Sequence, residues 1–236
     1  MISVTGLRSD GRRPKEVRQI FFEINKVPKA DGSCYYRHGQ TELLVSVFGP
    51  QEALRRKDVI HDTVSVRVEF GQSLFASGDK RERRRTDRFS VETASRIKSI
   101  VEQQVISSRY PKSEIVVSIQ LLQSDGSILP CAINATILAL IDAGISMTDF
   151  VVATSVGLVN KDILVDLTQT EENGPCNSLV LALAVNDDQC SLLFSSSRIP
   201  VDVFPVLYNE AAEVCRVLHS MFAANLKSFV ATRVVE

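Results

Sequence analysis

Three observations in this sequence predict an α+β fold. Short segments with period-two apolar alternation recur along both halves of the chain, which is strand periodicity. One stretch of helical length, 131–143, is apolar nearly all round, as a helix buried on every side would be. The chain closes on a long segment with helical apolar spacing. At 236 residues it fits one domain, 1–236, with a short polar arm over about residues 1–17.

The arm, LRSDGRRPKEVRQI, is polar and basic, and Gly11 and Pro14 argue against a helix. Residues 20–27 (IFFEINKV) read as a strand. ADGS at 30–33 is a turn, and 34–37 and 41–48 alternate as two further strands meeting near Gly39. Residues 51–62 form a loop with three adjacent cations, Arg55, Arg56 and Lys57. TVSVRVEF at 63–70 alternates cleanly. Residues 72–88 lack apolar periodicity and carry Lys80, Arg81, Arg83, Arg84, Arg85 and Arg88. Such a patch suits phosphate-backbone contacts, which need charge but no sequence code. A solvated loop or a protein-docking patch has the same composition. Residues 89–106 have helical spacing through Val91, Ala94, Ile97, Ile100, Val101 and Val105.

The stretch 113–145 organises the chain. Ile115, Val117, Ile119 and Leu121 alternate as a strand, and Asp125-Gly126 breaks it. Pro130 is placed as the first residue of the apolar helix, where a missing N–H costs nothing. The amides at that helix start face whatever lies beyond the turn, a setting suited to an anion. A strand at 151–159 follows, then a turn at 160–162 into ILVDL. TQTEENGPCN is a loop carrying Glu171 and Glu172. Residues 178–185 and 191–194 are two more strands, and a long helix begins at Asp202 with Pro205 in its first turn.

An apolar fraction of 44% with 23% charged residues is ordinary for a globular protein. The formal net charge of −1 supplies no global field toward nucleic acid, so RNA contact would come from local patches. Five scattered cysteines without a C-x-x-C pair read as reduced thiols, and three separated histidines argue against a zinc site. No membrane-length apolar run or signal peptide is visible, and the expectation is an intracellular protein without a membrane partner. Ser-His-Asp order, H-E-x-x-H, P-loop and G-x-G-x-x-G motifs are missing.

LQSDGS followed by NATILALIDAGISMTDF, with the opening DGRRP and the block ADGSCYYRHGQTELLVSVFGP, resembles the ribonuclease PH superfamily. The resemblance is strongest to the RNase PH-like ring subunits of the RNA exosome and runs from about Leu7 to Val230. It implies the RNase PH-like α+β fold, with mixed sheets packed against a buried central helix and a long C-terminal helix. In phosphorolytic members a small hydroxyl residue and an Arg hold the attacking phosphate; the turn Ser127, Ile128, Leu129 carries Ile and Leu there. Of two acids in the active relatives, one matches Glu172 and the other falls on Ser178. Asp166 also matches the family and reads as structural. Arg88 matches an Arg that reaches the phosphate site, and Arg56 one that touches RNA at the channel mouth.

These departures lead to the expectation of a chain that is not an enzyme and has no catalytic residues, metal or cofactor. Its role would be as a ring subunit of the RNA exosome, binding single-stranded RNA through Arg55, Arg56, Lys57, Arg83, Arg84, Arg85 and Arg88. The implied partners are other RNase PH-like subunits in a six-membered ring, cap subunits with S1 and KH folds, and a separate hydrolytic 3′→5′ exoribonuclease. Nucleus, nucleolus and cytoplasm are the implied locations. Two alternatives stay open: an active phosphate-dependent 3′→5′ exoribonuclease releasing nucleoside diphosphates, and a protein-binding platform with no RNA role.

Overall fold

The computed structural model describes residues 7–52, 63–76, 87–159 and 162–235. β1 (Ile20–Ile24), β2 (Gly32–His38) and β3 (Thr41–Glu52) form an antiparallel meander. β4 (Ser65–Gln72) leads through α1 (Arg88–Gln104) to β5 (Ser113–Gln123). β5 pairs parallel with β4 and antiparallel with β3, giving a five-stranded sheet of order β1-β2-β3-β5-β4. A parallel pair needs a crossover, and α1 supplies it. After α2 (Ile128–Asp142) come β6 (Val151–Val159), β7 (Asp162–Val165), the short α3 (Gln169–Glu172), β8 (Asn177–Ala184) and β9 (Gln189–Ser195). These strands make an antiparallel sheet of order β7-β6-β8-β9. α4 (Phe204–Val235) ends the described chain.

α2 is buried at every position from Leu129 to Leu140. It packs on β2 and β3 of the first sheet and on β6 and β8 of the second, so no face is left for water. α4 packs on β6 and β8, while its Phe222 ring meets Phe22 and Tyr36 of the first sheet edge-on. Both helices therefore touch both sheets, and one continuous apolar cluster joins them.

Several boundaries differ from the sequence reading. α2 begins at Ile128, so Pro130 is its third residue, not its first. The shift is tolerated because first-turn N–H groups have no intrahelical acceptor. α4 begins at Phe204, with 201–203 in a turn, and Pro205 is again in the first turn. β3 continues past Phe48 through Gly49-Pro50 to Glu52, across a bulge opposite β5, the setting in which a strand accepts proline. β1 stops at Ile24, before the expected 27, because Asn25 takes a left-handed conformation. Residues read as loop at 169–172 form α3, closed by a Thr168–Glu171 capping box.

Candidate functional site

The site is where the turn at 124–127, between β5 and α2, meets the loop at 166–168, between β7 and α3. Gly126 has φ +76°, and a Cβ there would stand 2.6 Å from Leu167 O, Gln169 N and Thr168 C. Only glycine lets these two backbones approach so closely. Ser127 and Asp166, one on each side, both adopt left-handed φ, 52° and 57°. That strain is held by the contacts around it.

A closed ring of hydrogen bonds joins the two walls. Leu167 N–H donates to Ser155 Oγ at 3.2 Å, and the Ser127 hydroxyl donates to Leu167 O at 2.8 Å. Ser127 Oγ lies 2.6 Å from Ser155 Oγ. Because Leu167 O can only accept, Ser127 spends its proton there and Ser155 donates to Ser127. The Ser127 side chain is thus committed within the fold. Thr41, the first residue of β3, clamps the same turn: it accepts from Asp125 N–H and donates to Gly126 O, both at 3.0 Å.

Asp166 is the electrostatic hub. Its carboxylate accepts from Arg18 Nε at 2.8 Å, Arg18 Nη2 at 2.6 Å, the Arg18 backbone N–H at 2.9 Å and Arg12 Nη1 at 3.1 Å. His38 Nε2 lies 3.0 Å away, and His38 Nδ1 is 3.4 Å from Cys131 Sγ. Burial opposes ionisation of Asp166, but His38 and Arg18 outweigh it and hold the carboxyl well below its usual range. Arg18 also donates to Asp125 O at 2.6 Å, so one guanidinium ties the two walls together. Arg8 donates to Val165 O at 2.6 Å, to Asp166 O at 2.8 Å and to the Glu171 carboxylate. The basic arm is thereby laced to β7 and α3.

Glu172 closes the site. Its Oε1 accepts from Ser127 N–H at 2.9 Å, placing a carboxylate at the N-terminal end of α2. The residue as a whole is exposed, yet its carboxyl is raised in pKa. Burial drives the rise, against the Ser127 N–H and the Arg18 charge. The anion-suited helix start expected from the sequence therefore faces an acid of this same chain.

The residues singled out in the sequence scatter. Ser127 and Glu172 meet. Leu129 is buried, and Ile128 is partly buried against the core. Ser178, on β8, pairs its hydroxyl with Ser196 at 2.7 Å. Arg88 is exposed at the start of α1. Arg55, Arg56, Lys57, Arg83, Arg84 and Arg85 lie outside the described residues. Among the described residues no cluster of three or more His, Cys, Asp or Glu is placed to hold a metal ion. Sequence reading missed Arg18, His38, Thr41 and Ser155, and took Asp166 as structural without its partners. The basic, proline-bearing opening was the available signal for the arm's role.

The sequence profile described as the 3′ exoribonuclease family, domain 1, matches residues 16–146, and domain 2 of the same family matches residues 149–205. The chain is 34% identical over 218 residues to the exosome complex component RRP41 homolog of Arabidopsis thaliana, covering 92% of this chain and 90% of that one. It is 34% identical to exosome complex component RRP41 of Mus musculus over 222 residues, covering 94% and 91%. Exosome complex component Rrp41 of Pyrobaculum calidifontis is 37% identical over 168 residues, covering 71% and 68%. Among solved structures, rice (Oryza sativa) Rrp46 superposes with TM-score 0.83 at 21% identity, over 93% of this chain and all of that one. A chain of the Archaeoglobus fulgidus exosome with RNA bound to the active site superposes with TM-score 0.78 at 24% identity, over 92% and 93%.

These matches overturn the expectation that the chain is not an enzyme. The matched family is one of exoribonucleases, and its relatives include archaeal Rrp41. The physical error lay in weighing Ile128 and Leu129 by side-chain type. Leu129 is buried and Ile128 partly so, and an anion at a helix start is held by backbone N–H groups rather than by these side chains.

Proposed function

Because the chain belongs to the RNase PH 3′ exoribonuclease family, we propose that it is an RRP41-type subunit of an exosome ring and acts at the 3′ end of single-stranded RNA. The observation that carries this reading is the near full-length match, at 34% identity over 92% and 94% of this chain, to proteins named exosome complex component RRP41 or its homolog. The site geometry supports it. The reaction is phosphate-dependent: a phosphate oxygen attacks the last phosphodiester phosphorus, the bond to the preceding ribose O3′ breaks, and a nucleoside diphosphate leaves. First-turn N–H groups of α2 face the attacking anion. Glu172, protonated to higher pH than an ordinary carboxyl, gives its proton to the departing O3′.

Arg88, with Arg55, Arg56, Lys57, Arg83, Arg84 and Arg85, is assigned to RNA phosphates. Other RNase PH-like subunits complete the ring, with S1 and KH cap subunits and a hydrolytic exoribonuclease as further partners. The assembly is expected in nucleus, nucleolus and cytoplasm. The test is to recover the native complex through this chain, measure its mass, and incubate it with labelled RNA with and without inorganic phosphate. Nucleoside diphosphates released only with phosphate, from a complex of ring mass, are the expected result. A free monomer, or RNA shortening indifferent to phosphate, overturns it.

A further inference from the structure

We propose that Phe75 is a stacking platform for one unpaired RNA base, in a groove beside the turn that opens α2. This rests on the RNA reading above and names a subsite within it. Phe75 is 76% exposed. Leu74 beside it is 53% exposed, and scattered exposed apolar side chains are normal; what sets Phe75 apart is how its backbone is held. Ala76 N–H donates to Ser73 O at 3.0 Å, closing the turn. Ser73 N–H donates to Leu121 O at 3.0 Å and Ser124 N–H to Ala76 O at 2.9 Å. The Gln120 side chain holds Ser73 Oγ at 2.7 Å, and Ala76 is buried. The ring is thus displayed on a turn pinned to the end of β5, so little ordering is left to be done on binding.

The groove measures about 480 Å³ and is lined by Glu42, Phe75, Ala76, Leu122, Gln123 and Ser124. Ser124, on its lining, is followed in the chain by Asp125, Gly126 and Ser127 of the turn before α2. One aromatic face beside an amide, a carboxylate and a hydroxyl is the chemistry that holds a base: stacking on one side, edge hydrogen bonds on the other. Glu42, whose Oε1 lies 3.5 Å from Arg37 Nε, offers a carboxylate that can accept from an exocyclic amino group. A protein partner is the less favoured occupant. A stable interface buries about 800 Å² on each side, whereas the described lining of this groove is six residues, three of them polar or charged: Glu42, Gln123 and Ser124.

The test uses the native complex and a short single-stranded RNA, with affinity read by fluorescence anisotropy. Phe75→Ala and Phe75→Leu are expected to weaken binding about tenfold, and Phe75→Trp to restore it. An abasic residue scanned along the 3′ end is expected to cost wild-type affinity at one position and to cost the Phe75→Ala complex nothing there. Unchanged affinity in Phe75→Ala overturns the subsite and leaves the RNA reading standing. So does Phe75→Leu binding as well as wild type, since a generic apolar contact would then suffice. A folded Phe75→Ala chain that no longer joins the complex identifies a protein contact and overturns it too. Failure of the wild-type complex to bind RNA overturns both.

Discussion

Arg18 grips Asp166 with two nitrogens, Nε at 2.8 Å and Nη2 at 2.6 Å, and water reaches neither charged head to any extent, with 7% and 2% of the two side chains exposed. The pair joins the N-terminal arm to the loop after β7, and the same guanidinium holds Asp125 O. Removing one member leaves a buried charge without its partner. Arg18→Ala is expected to lower the unfolding free energy by about 3–5 kcal/mol, measured by urea denaturation. Arg18→Lys is expected to recover little, because an ammonium cannot fork across two oxygens.

The depressed carboxyl of Asp166 makes part of the fold's stability pH-dependent. Its pKa lies below the ordinary 3.8, so the unfolded chain takes up this proton first on acidification. The contribution is complete above pH 3.8 and falls by up to about 1.4 kcal/mol per pH unit below it. Asp166→Asn is expected to be less stable at neutral pH and to show a shallower loss between pH 4 and 2. Equal slopes for the two proteins in denaturation at stepped pH would refute the assignment.

Gly126 and Gly144 both have positive φ, +76° and +69°, but differ in surroundings. A Cβ at Gly144 meets nothing within 4 Å, so Gly144→Ala carries only the left-handed penalty, about 1–2 kcal/mol. A Cβ at Gly126 would stand 2.6 Å from three backbone atoms. Gly126→Ala is expected to cost clearly more in thermal unfolding and to abolish RNA turnover. Gly144→Ala is expected to keep turnover.

Glu172→Gln retains an oxygen to accept from Ser127 N–H but has no proton to transfer. Nucleoside diphosphate release by the complex is expected to fall about 100-fold in kcat with KM nearly unchanged. Because the Glu172 pKa is raised, the wild-type kcat should decline as pH rises through it. The variant should lose that limb. Wild-type kcat in Glu172→Gln would remove the acid role.

The sequence alone determined the strands, the buried α2 helix and the family, because these are written in local periodicity and in contiguous motifs. The apolar run 131–143 has no polar face to turn outward, so its burial needed no structure to foresee. The turn at Asp125-Gly126 was legible for the same reason; Glu172 was singled out only through the family resemblance, as one member of a degenerate acid pair. Tertiary structure alone decided which groups share the site. Arg18, Ser155 and Asp166 and the His38–Thr41 hairpin turn come from four separate parts of the chain. It also decided that Leu129 is buried and Ile128 partly so, that Ser127 is committed to Leu167, and that Glu172 rather than Ser178 stands at the helix start. Proximity between distant segments is set by how two sheets close around one helix, and that depends on packing across the whole core rather than on any local pattern.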